Sequence, residues 1–330
     1  MEFGVAIIGC GDMGGVHASA WADRPDSKVL AVFDPLERRR LELAQKTGAA
    51  ACGSAEEAIA CDGVNVVSVC TPVCLHADMA LLAAAHGRHV LCEKPIALRL
   101  HEADSMIAAA EQNGVLLAVS YQYRGIPRYR KCRELFQAGE FGGPLFARFV
   151  DVREVRPKVA MHRRSMNGGP VIDMAGHYFD LMRFITGEEP EAVSARGHVF
   201  GAGKQRLEGL DDLAVDAAEI VVHMSGGHVL SVFVNWGMPE GFPGLGYELI
   251  AGPAMAVQPE GDGLAAIYSE RRVVHDLPAV SWGPGVRIDD LVSAVRTGGP
   301  LKVSGADGRR ALEVSLAALQ SIDTARTVPL

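Results

Sequence analysis

The stretch Val5-Ala6-Ile7-Ile8-Gly9-Cys10-Gly11-Asp12-Met13-Gly14 decides the fold of the N-terminal part of the chain. Four apolar residues run straight into G-x-G-x-x-G, and a helical pattern, Met13–Trp21, follows. In such a strand–turn–helix the first glycine permits the tight turn. The second lets backbone N–H groups approach a pyrophosphate, and the third allows helix and strand to pack closely. The helix N-terminus then favours the phosphate charge. Gly9, Gly11, Asp12, Met13 and Gly14 are therefore the expected dinucleotide-binding residues. The next apolar run ends at Phe33-Asp34, with Asp34 about 20 residues beyond the last glycine, where a carboxylate accepts hydrogen bonds from the ribose hydroxyls. It repels a 2′-phosphate, so Asp34 selects NAD over NADP. Arg38, Arg39 and Arg40 follow. They read as a solvated first helical turn; the rival reading folds one of them back toward a 2′-phosphate.

Outward from this motif, strands are predicted at Val5–Ile8, Lys28–Phe33, Val64–Cys70, His89–Cys92 and Val115–Val119. They alternate with helical patterns at Met13–Trp21, Leu36–Lys46, Leu75–His86 and Leu100–Gln112. Short apolar strands alternating with helices imply an α/β domain, a doubly wound parallel sheet covered on both faces. From about residue 123 the texture changes. Ile126–Ala138 and Val171–Ile185 read as helices and Leu145–Val155 as a long strand. Strand-like segments then follow one another: Ala192–Phe200, Ala214–His223, His228–Trp236, Tyr247–Ala251 and Ala265–Tyr268. Successive strands without helices between them imply an α+β domain with a mostly antiparallel open sheet. Two helical patterns, Val286–Arg296 and Ala306–Thr324, close the chain. The expected division is 1–122, dinucleotide-binding, and 123–330, substrate-binding and oligomerisation.

The 330 residues, 48% hydrophobic and 22% charged, suit about two globular domains and exclude disorder or coiled coil for most of the length. No run approaches the roughly 18 uncharged apolar residues of a membrane span. A net charge of −8 argues against nucleic acid as a partner. Met1 leads into an apolar strand with no basic n-region, so a cytoplasmic location is expected. The seven cysteines, Cys10, Cys52, Cys61, Cys70, Cys74, Cys92 and Cys132, are odd in number, which suits free thiols in a reducing compartment. Cys70 and Cys74 lack a second ligand pair at zinc-site spacing.

Further motifs are Val69-Cys70-Thr71-Pro72 with His76 beyond it, and Glu93-Lys94-Pro95 at the end of the fourth strand. Asp173-Met174-Ala175-Gly176-His177-Tyr178-Phe179-Asp180 and the closing Ser304–Glu313 segment complete the set. With the glycine motif, they resemble the Gfo/Idh/MocA oxidoreductase family over nearly the whole chain. The resemblance implies a Rossmann N-terminal domain and an NAD(P)-dependent dehydrogenase acting on CH–OH groups. Such an enzyme transfers a hydride between nicotinamide and a hydroxyl or carbonyl carbon of a sugar, cyclic polyol or sugar derivative. It implies Lys94, Asp173 and His177 as the catalytic trio. Thr71, Pro72, Glu93 and Lys94 would lie beside the cofactor, with His76 either there or structural. The Lys94–Pro95 bond would be cis, and Gln122 and Tyr123 would meet substrate. It also implies a homodimer or homotetramer packed sheet to sheet. Two departures fall where specificity is usually set: Asn167-Gly168-Gly169-Pro170 replaces a fuller glycine run, and Gln122 replaces a frequent asparagine.

The residue chemistry points the same way. Asp173 and His177 at i, i+4 share one helix face, with Asp180 on the same side. Histidine can take the proton of a reacting hydroxyl while a carboxylate orients it. Lys94 follows the carboxyl end of a parallel strand, where open α/β sheets place ligands, and an ammonium there polarises a carbonyl. The rival reading of D-x-x-x-H-x-x-D is three metal ligands, which a lysine in the same site would oppose, so no metal is expected. Residues 124–164 hold eleven Lys/Arg against four Asp/Glu. They form either a solvated face or, through Arg124, Arg163 or Arg164, a site for an anionic substrate group. In Leu230–Trp236 the face of Leu230, Val232, Val234 and Trp236 is expected to be uncovered and buried on a second copy. Two other functions compete: a glycosidase that uses bound NAD for transient oxidation, and a non-catalytic nucleotide-binding regulator. A regulator has no need of all three catalytic residues.

Overall fold

The structure, a computed structural model, describes residues 2–279 and 284–330. The chain divides into two compact units. In the first, six parallel strands, β1 (Phe3–Ile8), β2 (Ser27–Phe33), β3 (Ala50–Ala51), β4 (Val64–Val69), β5 (His89–Cys92) and β6 (Leu117–Val119), lie in the order β3-β2-β1-β4-β5-β6. This is the doubly wound dinucleotide-binding order. β1 is buried along its whole length, as a strand covered on both faces must be. Its last residue, Ile8, stands opposite both Phe33 and Val69, and Val69 stands opposite Cys92. Strands that end in register place the residues that follow them along one edge. Gly9, Asp34, Cys70-Thr71 and Glu93-Lys94 therefore share the carboxyl edge of the sheet.

The division at 122/123 needs correction for the later chain. Residues 284–309 belong to the first unit and only 310–330 return to the second. The Gly285–Thr297 helix buries Ile288, Leu291 and Val292 in one cluster with Phe3, Trp21 and Leu91. Arg24 pairs with Asp289, and Arg296 donates to Asp26 at 2.5 Å. Ser304 bridges Ala118 in antiparallel fashion.

Among the described residues the second unit holds nine strands: β7 (Phe146–Glu154), β8 (Pro190–His198), β9 (Ala217–Met224), β10 (Val229–Met238), β11 (Leu245–Ala251), β12 (Met255–Glu260), β13 (Gly263–Tyr268), β14 (Arg272–His275) and β15 (Val328–Pro329). Their order is β14-β13-β12-β11-β7-β10-β9-β8-β15. β7 and β10 run parallel and the other neighbouring pairs antiparallel. β12, β14 and β15 had no signal of their own in the sequence.

The expected uncovered face is the covered one. Leu230, Val232 and Val234 are fully buried and Trp236 is 2% exposed. They join Tyr178, Phe179, Leu181 and Met182 of the Ala175–Thr186 helix in one core. Each such aliphatic side chain contributes about 1.5–3 kcal/mol. The period-2 pattern identifies two faces but not which of them a distant helix covers. The opposite face, with Phe233 beside Val150 and Val150 beside Tyr247, is the open one.

Candidate active site

The glycines at the carboxyl edge of the first sheet behave as their spacing predicts. Gly9 has φ +96°, and a Cβ there would lie 2.7 Å from the Cys70 carbonyl carbon. A Cβ on Gly14 would lie 1.9 Å from the Gly9 oxygen, so the third glycine sets the approach of helix to turn. A Cβ on Gly11 would meet nothing within 4 Å. Gly11 is the N-cap of the Asp12–Ala22 helix, and no side chain caps that end. Open space before uncapped N–H groups fits a pyrophosphate. Asp34 is buried at the end of β2, where its carboxylate accepts the Cys10 N–H at 2.9 Å and the Leu36 N–H at 2.8 Å. These bonds fix it beside the glycine turn. Burial and the Asp34 charge push the Cys10 thiol up to about 12, so it stays protonated and adds no anion there. Arg40 does fold back, but onto the Asp34 carbonyl at 2.9 Å, while the exposed Arg38 faces Glu42. The Thr71 hydroxyl oxygen is buried with no hydrogen-bond partner among the described residues. The set fits a bound dinucleotide.

Lys94 is half-buried and its peptide bond to Pro95 is cis. Beneath it, Glu93 is buried and accepts from His17 at 2.9 Å and from the Lys94 N–H at 3.2 Å. Burial raises the Glu93 carboxyl. The hydrogen bond from His17, the charges of His17 and Lys94, and the Ser120 hydroxyl outweigh it and leave the group below its ordinary range. Glu93 is thus a buried anion behind the lysine. His17, fully buried one turn after Gly14, was not among the expected residues, although its helical spacing from Gly14 places it on the inner face. His76 is also buried. Its Nδ1 lies 2.9 Å from the Pro95 carbonyl and its Nε2 3.0 Å from the Thr71 carbonyl. It ties together the turns after β4 and β5, and burial pushes its pKa down despite the carbonyl bonds.

In the second unit the expected continuous helix is broken. Pro170–Asp173 forms one turn, Met174 keeps a right-handed helical backbone (φ −104°, ψ −48°) while the regular ladder is interrupted, the His177 N–H bonding the Met174 carbonyl at 3.1 Å, and Ala175–Thr186 continues. Asp173 and His177 thus lie on two successive helices that meet at Met174. Gly168 and Gly169 have φ +76° and +74°, and Pro170 opens the turn. A Cβ on Gly169 would sit 2.7 Å from the Ala214 Cβ. The Asp173 N–H bonds the Gly169 carbonyl at 2.9 Å. Asp173 and His177 are both 3% exposed. The His177 ring stacks on Tyr123, centroids 4.4 Å apart at 15°, and Tyr123 stacks in turn on Tyr129. Gln122 opens the same short helical turn as Tyr123, and its side-chain oxygen is buried without a partner among the described residues.

Four of the eleven basic residues of the segment, Arg124, Arg128, Arg148 and Arg163, pair with acids from outside it. Arg124 grips the fully buried Asp180 with two bonds, 2.8 and 2.5 Å. This removes Asp180 from the metal reading and neutralises Arg124. Arg163 lies 3.7 Å from Asp212, and Arg164 is exposed.

Sequence models of the GFO/IDH/MocA oxidoreductase family match this chain twice. The model described as an NAD-binding Rossmann fold covers residues 3–121, and the family's C-terminal domain covers 129–251. The chain is 28% identical to myo-inositol 2-dehydrogenase of Thermotoga maritima, over 99% of this chain and 98% of that one. It is 28% identical to the rhizopine catabolism protein MocA of Rhizobium meliloti, over 97% and 95%. Among solved structures it superposes on UDP-N-acetylglucosamine 3-dehydrogenase of Acidithiobacillus ferrooxidans with a TM-score of 0.82 and 25% identity, covering 98% of this chain and 99% of that one. The glycine turn, the buried Asp34 and the two matched domains agree: the chain belongs to the GFO/IDH/MocA family of NAD-binding oxidoreductases.

Proposed function

We propose that the protein is an NAD-dependent dehydrogenase that oxidises a hydroxyl-bearing carbon of a sugar, a cyclic polyol or a sugar derivative, with Lys94, Asp173 and His177 as its catalytic residues. When bound, NAD supplies the two-electron oxidation. Gly9, Gly11, Asp12, Met13 and Gly14 would hold its pyrophosphate and Asp34 its ribose, with Thr71, Pro72 and Glu93 beside it. His177 takes the hydroxyl proton, and Asp173 orients the imidazole and stabilises its charged form. Lys94 hydrogen-bonds the reacting oxygen and polarises the carbonyl in the reverse direction. The observation that carries this reading is the buried Asp173/His177 pair with its imidazole held face to face by Tyr123. Relatives named for inositol and for a nucleotide sugar support the substrate class. Seven free cysteines suit a reducing cytoplasm. The exposed Phe146, Leu245 and Tyr247 on the open face of the second sheet support a homodimer or homotetramer. The test is NADH formation from NAD over inositols, hexoses, uronic acids and glycosides. Turnover of a polyol or sugar is expected. Aglycone release without NADH would instead make the protein a glycosidase, and NAD binding with neither product a regulator.

A further inference from the structure

We infer that Arg156, just beyond the end of β7, recognises an oxyanion on the substrate, a carboxylate or phosphate carried by the sugar or polyol; this rests on the dehydrogenase reading and narrows its substrate class. The basic segment sorts by partner. Arg128 faces Glu248, Lys131 faces Glu134, Arg148 faces Glu219 and Arg153 faces Asp151. Arg124 and Arg163 have acids as well. Arg156 differs. It is half-buried, no ion pair forms to it among the described residues, and its Nε is buried without a hydrogen-bond partner.

The carboxylates nearby are already engaged. Asp151 accepts Arg153 through two nitrogens and the Trp236 indole N–H at 2.8 Å. Glu154 accepts Arg206 and the Gly241 N–H. The Arg156 guanidinium lies over the Trp236 ring, 5.8 Å from its centroid, and its backbone N–H is pinned by His162 Nε2 at 2.8 Å. It feels the attraction of Asp173, the proposed partner of the base, and the repulsion of Arg153. Burial and that like charge lower its basicity. A half-buried guanidinium beside another, with no acid of its own, is costly in the free protein. A planar fork of donors held on an aromatic ring is matched by a bidentate oxyanion. Arg156 also lies within electrostatic reach of Asp151 and of Asp173, the proposed partner of the base.

The test compares D-glucose with D-glucuronate and glucose 6-phosphate, on wild type, Arg156→Met and Arg156→Lys. One readout is kcat/KM with NAD. The other is calorimetric binding of the same three compounds to the NAD-loaded protein. An anionic member should exceed glucose, and added salt should shrink its advantage. Which anion wins separates carboxylate from phosphate. Arg156→Met should cut the anion-to-neutral ratio roughly 10- to 100-fold, the scale of a lost charge-assisted hydrogen-bond pair. Arg156→Lys should retain part of it and guards against a folding defect in the methionine variant. Equal or better use of glucose, or an anion preference that survives Arg156→Met, overturns the inference and leaves the dehydrogenase intact. Absence of NADH from every polyol and sugar overturns the dehydrogenase reading, and the binding arm still decides the role of Arg156.

Discussion

At the scale of the residue, Asp34 is the proposed selector of the cofactor. Its carboxylate is buried and fixed by the N–H groups of Cys10 and Leu36, so it does not swing away from an approaching 2′-phosphate. Asp34→Ser should raise the NADP-to-NAD ratio of kcat/KM by roughly 10-fold or more, chiefly by weakening NAD. Steady-state kinetics with both cofactors measure it, and a wild-type enzyme that strongly prefers NADP would overturn the assignment. At this scale the sequence was readable where chemistry depends on spacing. Gly9, Gly14 and Asp34 sit where the motif puts them. His17 and Arg156 were not readable, because each is defined by a partner far away in the chain: Glu93 for His17, Trp236 for Arg156. Arg124 looked like a substrate residue for the same reason, since its neutralising Asp180 is 56 positions away.

At the scale of elements, periodicity located most strands and helices to within a few residues but missed the break at Met174. A helical pattern registers which side chains face inward, not a one-residue interruption of the hydrogen-bond ladder. β3, two residues long, carries too little pattern to be read at all. The Val159–His162 turn makes a testable claim. His162 is buried and accepts the Arg156 N–H, and burial with the Arg156 charge lowers its pKa to about 4. In the unfolded chain a histidine titrates near 6.5. Between those values the unfolded state binds more protons, so stability falls as the pH drops from about 6.5 to about 4 and is level above. Urea midpoints across this range should decline in the wild type. His162→Gln, which keeps an acceptor but does not titrate, should decline less; identical slopes would show that His162 is not the source.

At the scale of the whole molecule, the texture change near residue 123 marked one crossing between units, but the return of 284–309 to the first unit left no mark. It depends on Ile288, Leu291 and Val292 meeting Phe3 and Trp21, a contact between the two ends of the sequence. The covered face of the second sheet was hidden for the same reason. With its open face now assigned, the protein should sediment as a dimer or tetramer at micromolar concentration. Phe233→Asp with Tyr247→Asp should shift it toward monomer, since an uncovered apolar sheet face is normally buried on a partner. A wild-type mass of 35.1 kDa would refute this. Lys94, at the carboxyl edge of the first sheet and bonded through its backbone N–H to the buried Glu93, is the proposed group on the reacting oxygen. Its most direct test is the turnover number of Lys94→Ala on the best substrate, measured alongside the dissociation constant for NAD. A fall in kcat of roughly 10²-fold or more with a far smaller change in NAD binding is expected; a near-normal kcat would contradict the assignment of Lys94.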